Sequence, residues 1–284
     1  MFFNIFKRKK DESQRLKKEI LAFGFNDPNE LIKLIRPAVL IDGTTKSCPP
    51  GGSKFGGQPD LPEELEWPTF NDEAMVFIGQ VNLSEISSLQ SGMDLPVAGL
   101  LSFFIHFKEP ENEFGAEYDF EPGKEEFKVM YFDNSENLIK KEFPSNLFEG
   151  YQFAEKRMAF SQHFQVPTTE ESSYIVHSGL DQNDRDKLFD FERRYADGFM
   201  DQIGGYPIPI QQGVDLDWAA ATVEKVEDRY RKSLELGQNY VNLFSFTLQY
   251  SFEIIGDSNC YFGITNEHLK DRKFKETILI LQDT

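Results

Sequence analysis

The segment that most restricts this chain runs from Ser47 to Pro68, where Cys48-Pro-Pro-Gly-Gly-Ser-Lys-Phe-Gly-Gly-Gln-Pro-Asp-Leu-Pro62 leads to Trp67-Pro68. Proline lacks the N–H that helix interiors and central strands need, and glycine enters the left-handed region freely, so this stretch is built of turns. Its centre, Phe55-Gly-Gly-Gln-Pro59, returns as Ile203-Gly-Gly-Tyr-Pro207. Each double glycine precedes a tryptophan (Trp67, Trp218) and then a Gln-bearing run, Phe77-Ile-Gly-Gln80 or Phe246-Thr-Leu-Gln249. A further apolar run follows in each case, Leu100–Phe107 and Tyr261–Thr265. This order predicts a duplicated framework, with repeats at about 50–135 and 200–284 forming two sub-sheets around one core. A solenoid would need at least three repeats.

Spacing identifies elements around these landmarks. Leu16, Ile20 and Phe23 share a helical face, while Asp27, Pro28 and Glu30 mark the capped start of a second helix that Pro37 stops. Strands are expected at Ala38–Ile41, Met75–Leu83, Gly99–Phe107, Phe127–Phe132, Tyr240–Tyr250, Cys260–Thr265 and Thr277–Gln282, with a helical turn near Leu83–Leu89. Leu188, Phe191, Tyr195 and Phe199 predict a helix to about Gly198. Val223, Val226, Tyr230 and Leu234 predict one long helix from Trp218 to Leu236, closed by Gly237. Between residue 132 and Leu188 no element is legible. The 28 Phe and 10 Tyr suit strands that pack large side chains. The expected fold is α+β and β-rich, with largely antiparallel sheets in two pseudo-repeated halves around one core and peripheral helices. Residues 1–45 supply N-terminal helices packed on a domain of residues 46–284.

Charge narrows the function classes. A net charge of −18 without an offsetting basic stripe repels phosphate backbones, which disfavours nucleic acid. No apolar run reaches transmembrane length. The basic cluster Lys7-Arg8-Lys9-Lys10 follows Met1–Phe6, the reverse of a secretory signal. Cys48 and Cys260 lack metal-type spacing and fit a reducing compartment. The expectation is a soluble cytoplasmic protein without membrane attachment. Between Glu109 and Glu126 eight acids accompany one lysine, interleaved with Phe114, Tyr118 and Phe120. A solvated loop explains them, and a docking surface for a basic protein partner is the sharper alternative.

Catalytic apparatus is not legible. The loop Gly51–Gly57 matches neither phosphate-loop pattern, so tight turns explain it more simply than an anion cradle. His106, His163, His177 and His268 are scattered without metal pairing, and no G-x-S-x-G elbow occurs. No cofactor and no metal are expected. If the two halves face each other, Gly56, Gly57, Gln80, Gly204, Gly205, Gln249 and Asp257 form the candidate cleft of a small-ligand protein or enzyme. Turn formation accounts for Gly256-Asp-Ser-Asn259 without chemistry.

Taken in order, several segments resemble the YwqG-like family, a bacterial family of unknown function. They are Ser53–Pro62 with Trp67-Pro68, Gly79–Leu83, Pro96–Ile105, Ile203–Pro207 and Gly256–Ile264. The resemblance implies one compact, duplicated, β-rich domain and brings no activity with it. Where it leads one to expect an acid soon after Gln249 stands Tyr250-Ser-Phe252, and Ile255 replaces an expected Trp, which weakens an acid–base role for Asp257. The leading expectation is a non-enzymatic binding protein with an acidic surface, for instance an immunity protein that neutralises a basic toxin.

Overall fold

The computed structural model describes residues 2–44, 46–108, 126–134, 137–167, 172–195, 201–223, 228–248, 252 and 258–283. Five strands come first: β1 (Arg36–Thr44), β2 (Lys54–Phe55), β3 (Asp60–Pro62), β4 (Thr69–Phe70) and β5 (Glu73–Ala74). Next are β6 (Val76–Asn82), β7 (Leu100–Ile105), β8 (Phe127–Phe132), β9 (Leu138–Lys140) and β10 (Lys156–Gln165). The last four are β11 (Gln202–Gly204), β12 (Tyr240–Thr247), β13 (Asn259–Thr265) and β14 (Ile278–Gln282). Ten of them form one sheet in the order β14-β13-β12-β11-β1-β10-β2-β6-β7-β8, and every neighbouring pair is antiparallel. β3 pairs with β9 and β4 with β5 as two small ribbons.

The sheet curls until its inner face closes on itself. Phe103 of β7 packs on Phe244 of β12 and Phe262 of β13, with ring centroids 4.7 and 5.1 Å apart. Its edges approach where Tyr131 of β8 meets Phe274, just ahead of β14, at 5.0 Å. Phe55, Ile78, Val81, Leu101, Ile203, Phe246 and Ile264 fill the enclosed core, each contributing roughly 1.5–3 kcal/mol by leaving water. On the outer face, Leu61 and Trp67 cover Phe77 and Phe104 at one end. At the other end the helix Val214–Thr222 lays Trp218 over β13. Its indole lies so close to Gly263 that an added Cβ there would stand 2.2 Å from a ring atom. The helices Phe2–Phe23, Pro28–Lys33 and Gln182–Tyr195 share Ile20, Leu31, Leu188 and Phe191 in a second cluster.

Two sequence expectations change. β10, the longest strand, runs through the stretch that carried no legible element. Its side chains, Lys-Arg-Met-Ala-Phe-Ser-Gln-His-Phe-Gln, lack apolar alternation, and of the ten only Met158 and Gln165 are buried. The single helix from Trp218 to Leu236 is two helices, Val214–Thr222 and Arg229–Gly237, since Val223 turns extended at φ −89°, ψ 118°. Tyr230, expected on its apolar face, is 64% exposed. The second helix buries Ser233 and Gly237 instead. Gly237 is the last helical residue, needed because an added Cβ would meet Ser173 Oγ and Asp215 at 2.9–3.0 Å. The acidic segment at 109–126 lies outside the described residues except for Glu126, whose carbonyl accepts from His106 N at 2.7 Å.

Candidate functional site

The first double glycine lies in a buried ionic centre. In two-residue β2, Phe55 enters the core, so Lys54 must point to the opposite face. There Lys54 Nζ donates to Asp60 Oδ2 at 2.9 Å, and both side chains are fully buried. Gln80, opposite Lys54 in the ladder, donates to Asp60 Oδ2 at 2.6 Å and to Gly52 O at 2.8 Å, and accepts from Asp60 N at 2.9 Å. Gly51 N also donates to Asp60, at 3.1 Å. Outward, Lys54 stands 3.6 Å from Glu155, which accepts from Lys140 at 3.0 Å and from Cys48 N at 3.0 Å. Burial pushes the Glu155 carboxyl up, but the Cys48 N–H, Lys140 and Lys54 outweigh it and hold it below the ordinary glutamate range. Burial pushes the Cys48 thiol up to about 11, so it is protonated at neutral pH and a poor nucleophile.

Gly56 and Gly57 serve this centre as backbone. Their φ values are +55° and +69°, and added Cβ atoms would stand 2.6 Å from Ala154 O and 2.8 Å from Glu155 Cβ. Close approach therefore demands glycine at both positions.

The second double glycine sits in a different environment. Gly204 has φ +74° and an added Cβ would stand 1.9 Å from Ser91 O, while Gly205 has φ +65° and packs on Ala38 and Gln165. Gln165 and Gln202 both donate to Tyr206 O at 2.7 Å. The Arg36 guanidinium lies over the rings of Tyr174 and Tyr206, 4.2 and 4.3 Å from their centroids, while the two rings meet edge-on at 5.1 Å. Those hydroxyls donate to Tyr240 O at 2.6 Å and Leu34 O at 2.8 Å. Buried Asp215 accepts from Ser173 N at 2.7 Å, and burial raises its carboxyl above the ordinary aspartate range.

The structure brings Gly56, Gly57 and Gln80 together. It keeps Gly204 and Gly205 away from them, because the ladder inserts β10 and β1 between β2 and β11. The expected shared cleft therefore does not form between the two glycine pairs. Gln249 and Asp257 lie outside the described residues. His106 accepts or donates at Glu73 at 2.7 Å, and His163 pairs with Glu12 at 2.8 Å. Among the described residues no group of three or more His, Cys, Asp or Glu side chains is arranged to hold a metal ion.

A pocket of about 530 Å³ opens elsewhere, lined by Pro37, Leu83, Ile86, Ser87 and Leu89–Val97. None of the candidate cleft residues Gly56, Gly57, Gln80, Gly204 and Gly205 lines it. The polar spacing of this segment had marked only a helical turn, and the helix is short, Leu83–Ile86. Ser91, on the pocket wall, is the residue whose carbonyl presses on Gly204.

Residues 53–282 match the model of a family described as Domain of unknown function (DUF1963). The chain belongs to that family. The DUF1963 segment holds nine of the ten sheet strands, from β2 to β14, yet β1 precedes it in sequence and sits at the middle of the sheet. No curated protein matches the chain.

Proposed function

We propose that this DUF1963 protein is a non-enzymatic binding protein whose acidic surface recruits a basic protein partner, a basic toxin being one concrete form. The observation that carries this reading is the excess of 48 acidic over 30 basic residues, a net charge of −18. Supporting it, the most deeply buried ionic groups, Lys54 and Asp60, are engaged with each other and with Gln80 and Gly51. The test is a pull-down from native lysate at low and at high salt, followed by mass spectrometry. The expected result is a basic protein retained at low salt and released at high salt; recovery of no salt-sensitive basic protein overturns the proposal.

The framework is proposed to be a duplication within the YwqG-like pattern, with β2-β6-β7-β8 and β11-β12-β13-β14 as copies flanking β1 and β10. The strand order reads outward identically from the centre, which supports it. So does the register: Lys54 opposes Gln80 as Gln202 opposes Ser245, and a bulge falls two residues before each, around Ile78 and around Leu243. On this reading the counterpart of Gln80 is Ser245, not Gln249. Phe103 and Phe262, which then correspond, meet across the core at 5.1 Å.

A further inference from the structure

We propose that the start of the long N-terminal helix docks on a membrane surface rich in anionic lipid, and so tethers the acidic body to one leaflet. In Phe2-Phe-Asn-Ile-Phe-Lys-Arg-Lys-Lys10 four large apolar residues precede four consecutive cations. An anionic bilayer offers a hydrocarbon boundary to the first group and phosphate charge to the second, and stable attachment takes both signals. Helical spacing places Phe2, Ile5 and Phe6 on one face, with Lys9 a turn further on and Lys7 and Arg8 across from it. A nucleic-acid duplex would engage the cations and leave Phe2, Phe3, Ile5 and Phe6 in water, whereas a bilayer takes both. The net charge of −18 argues against such attachment only if it is spread evenly. The helix Phe2–Phe23 instead carries seven basic and three acidic residues, the opposite sign to the whole.

The described contacts that hold this helix on the body run from Glu12, which pairs with His163 of β10 at 2.8 Å, through Leu16, Ile20 and Phe23 in the cluster with Leu31, Leu188 and Phe191. Past His163 the outer face of β10 is open, since Ser161 and Ala159, the next residues on that side, are exposed. The ten helical residues ahead of Glu12 span about 15 Å. That exceeds the roughly 8 Å over which charges act at physiological salt, so an acidic body anchored through Glu12 and beyond is largely screened from the lipid that would repel it. Among the described residues no helix is long and apolar enough to cross a membrane, so the attachment is to a surface.

The test is sedimentation of the full chain with vesicles of phosphatidylcholine alone and of phosphatidylcholine mixed with phosphatidylglycerol. The expected result is salt-sensitive binding to the mixed vesicles, about tenfold or more above that to phosphatidylcholine. Lys7→Glu, Arg8→Glu, Lys9→Glu and Lys10→Glu combined are expected to weaken it about tenfold or more. Phe3→Ser with Phe6→Ser is expected to weaken it too, and what remains should be released at lower salt. Near-ultraviolet circular dichroism checks that each variant keeps the native body. Wild-type chain that stays in solution beside the mixed vesicles overturns the proposal without recourse to any variant. So does equal binding to both vesicle types, or binding that survives the glutamate substitutions in a folded chain. If single-stranded RNA captures the wild type and the vesicles do not, the occupant is nucleic acid and the proposal fails. The salt-dependent pull-down decides separately whether the acidic surface recruits a basic protein.

Discussion

At Gly204 two separate constraints fall on one residue: a left-handed φ of +74° and a carbonyl, Ser91 O, 1.9 Å from where a Cβ would be. Gly24 has only the first, with φ +98° and nothing within 4 Å. Gly24→Ala is therefore expected to cost about 1 kcal/mol, the backbone strain alone. Gly204→Ala is expected to cost about 3 kcal/mol or more, since backbone must move as well. Urea denaturation of both variants checks the ordering. At Lys54 the issue is charge. Lys54→Met leaves the buried Asp60 carboxylate with only Gly51 N and the Gln80 amide for partners, and the expected loss is about 3–5 kcal/mol. Adding Asp60→Leu removes the stranded charge, so the double variant is expected to be more stable than Lys54→Met alone. A double-mutant cycle measures the coupling, and simple additivity would mean that the pair is not the source of the loss.

At the scale of elements, β10 holds the molecule together although its sequence hardly announces it. It pairs with β1 along nine residues and with β2 at its start, and its Gln162 amide reaches across to the pocket segment. Gln162→Ala removes four hydrogen bonds, two of them to Gln90 in that segment. Partial exposure moderates the effect, so the expected loss of global stability is about 1–2 kcal/mol. Hydrogen exchange is expected to accelerate selectively in residues 83–97, with β6 and β7 little changed. Uniform acceleration across the sheet would show that Gln162 supports the fold and not the pocket wall.

For the whole molecule, the decisive element is the one ahead of the family segment. Removing residues 1–52 leaves the DUF1963 segment without β1, exposing the facing edges of β10 and β11 and splitting the sheet into two four- or five-stranded pieces. Unpaired edges and an opened core are strongly unfavourable. A 53–282 fragment is therefore expected to be aggregated or unfolded, and a fragment starting near residue 27, which retains β1, to keep the native near-ultraviolet circular dichroism in larger measure. A well-folded 53–282 fragment would require the sheet to close without its central strand.

What the sequence by itself determined is local. The largely apolar runs at residues 76–82 and 100–105, buried on both faces, and the half-buried run at 127–132 mark strands, and the cap Asp27 with Pro28 marks the helix that follows it. The recurrence of Gly-Gly-x-Pro was visible because positive φ admits few residues. Tertiary structure decided the rest. β10 acquires its strand conformation from neighbours on both sides, so its pattern is set by contacts distant in the chain. The helix break at Val223 lets Arg229–Gly237 pack back against Val214–Thr222 and against the helix Ser173–Val176, a matter of available space that helical periodicity does not report. The two glycine pairs form one cleft only if the halves that carry them face each other there; β1 and β10 separate them because strand order is fixed by which edges meet when the core closes. The pocket was invisible for the same reason, being a space bounded by Pro37 and a turn segment brought beside it only by the fold.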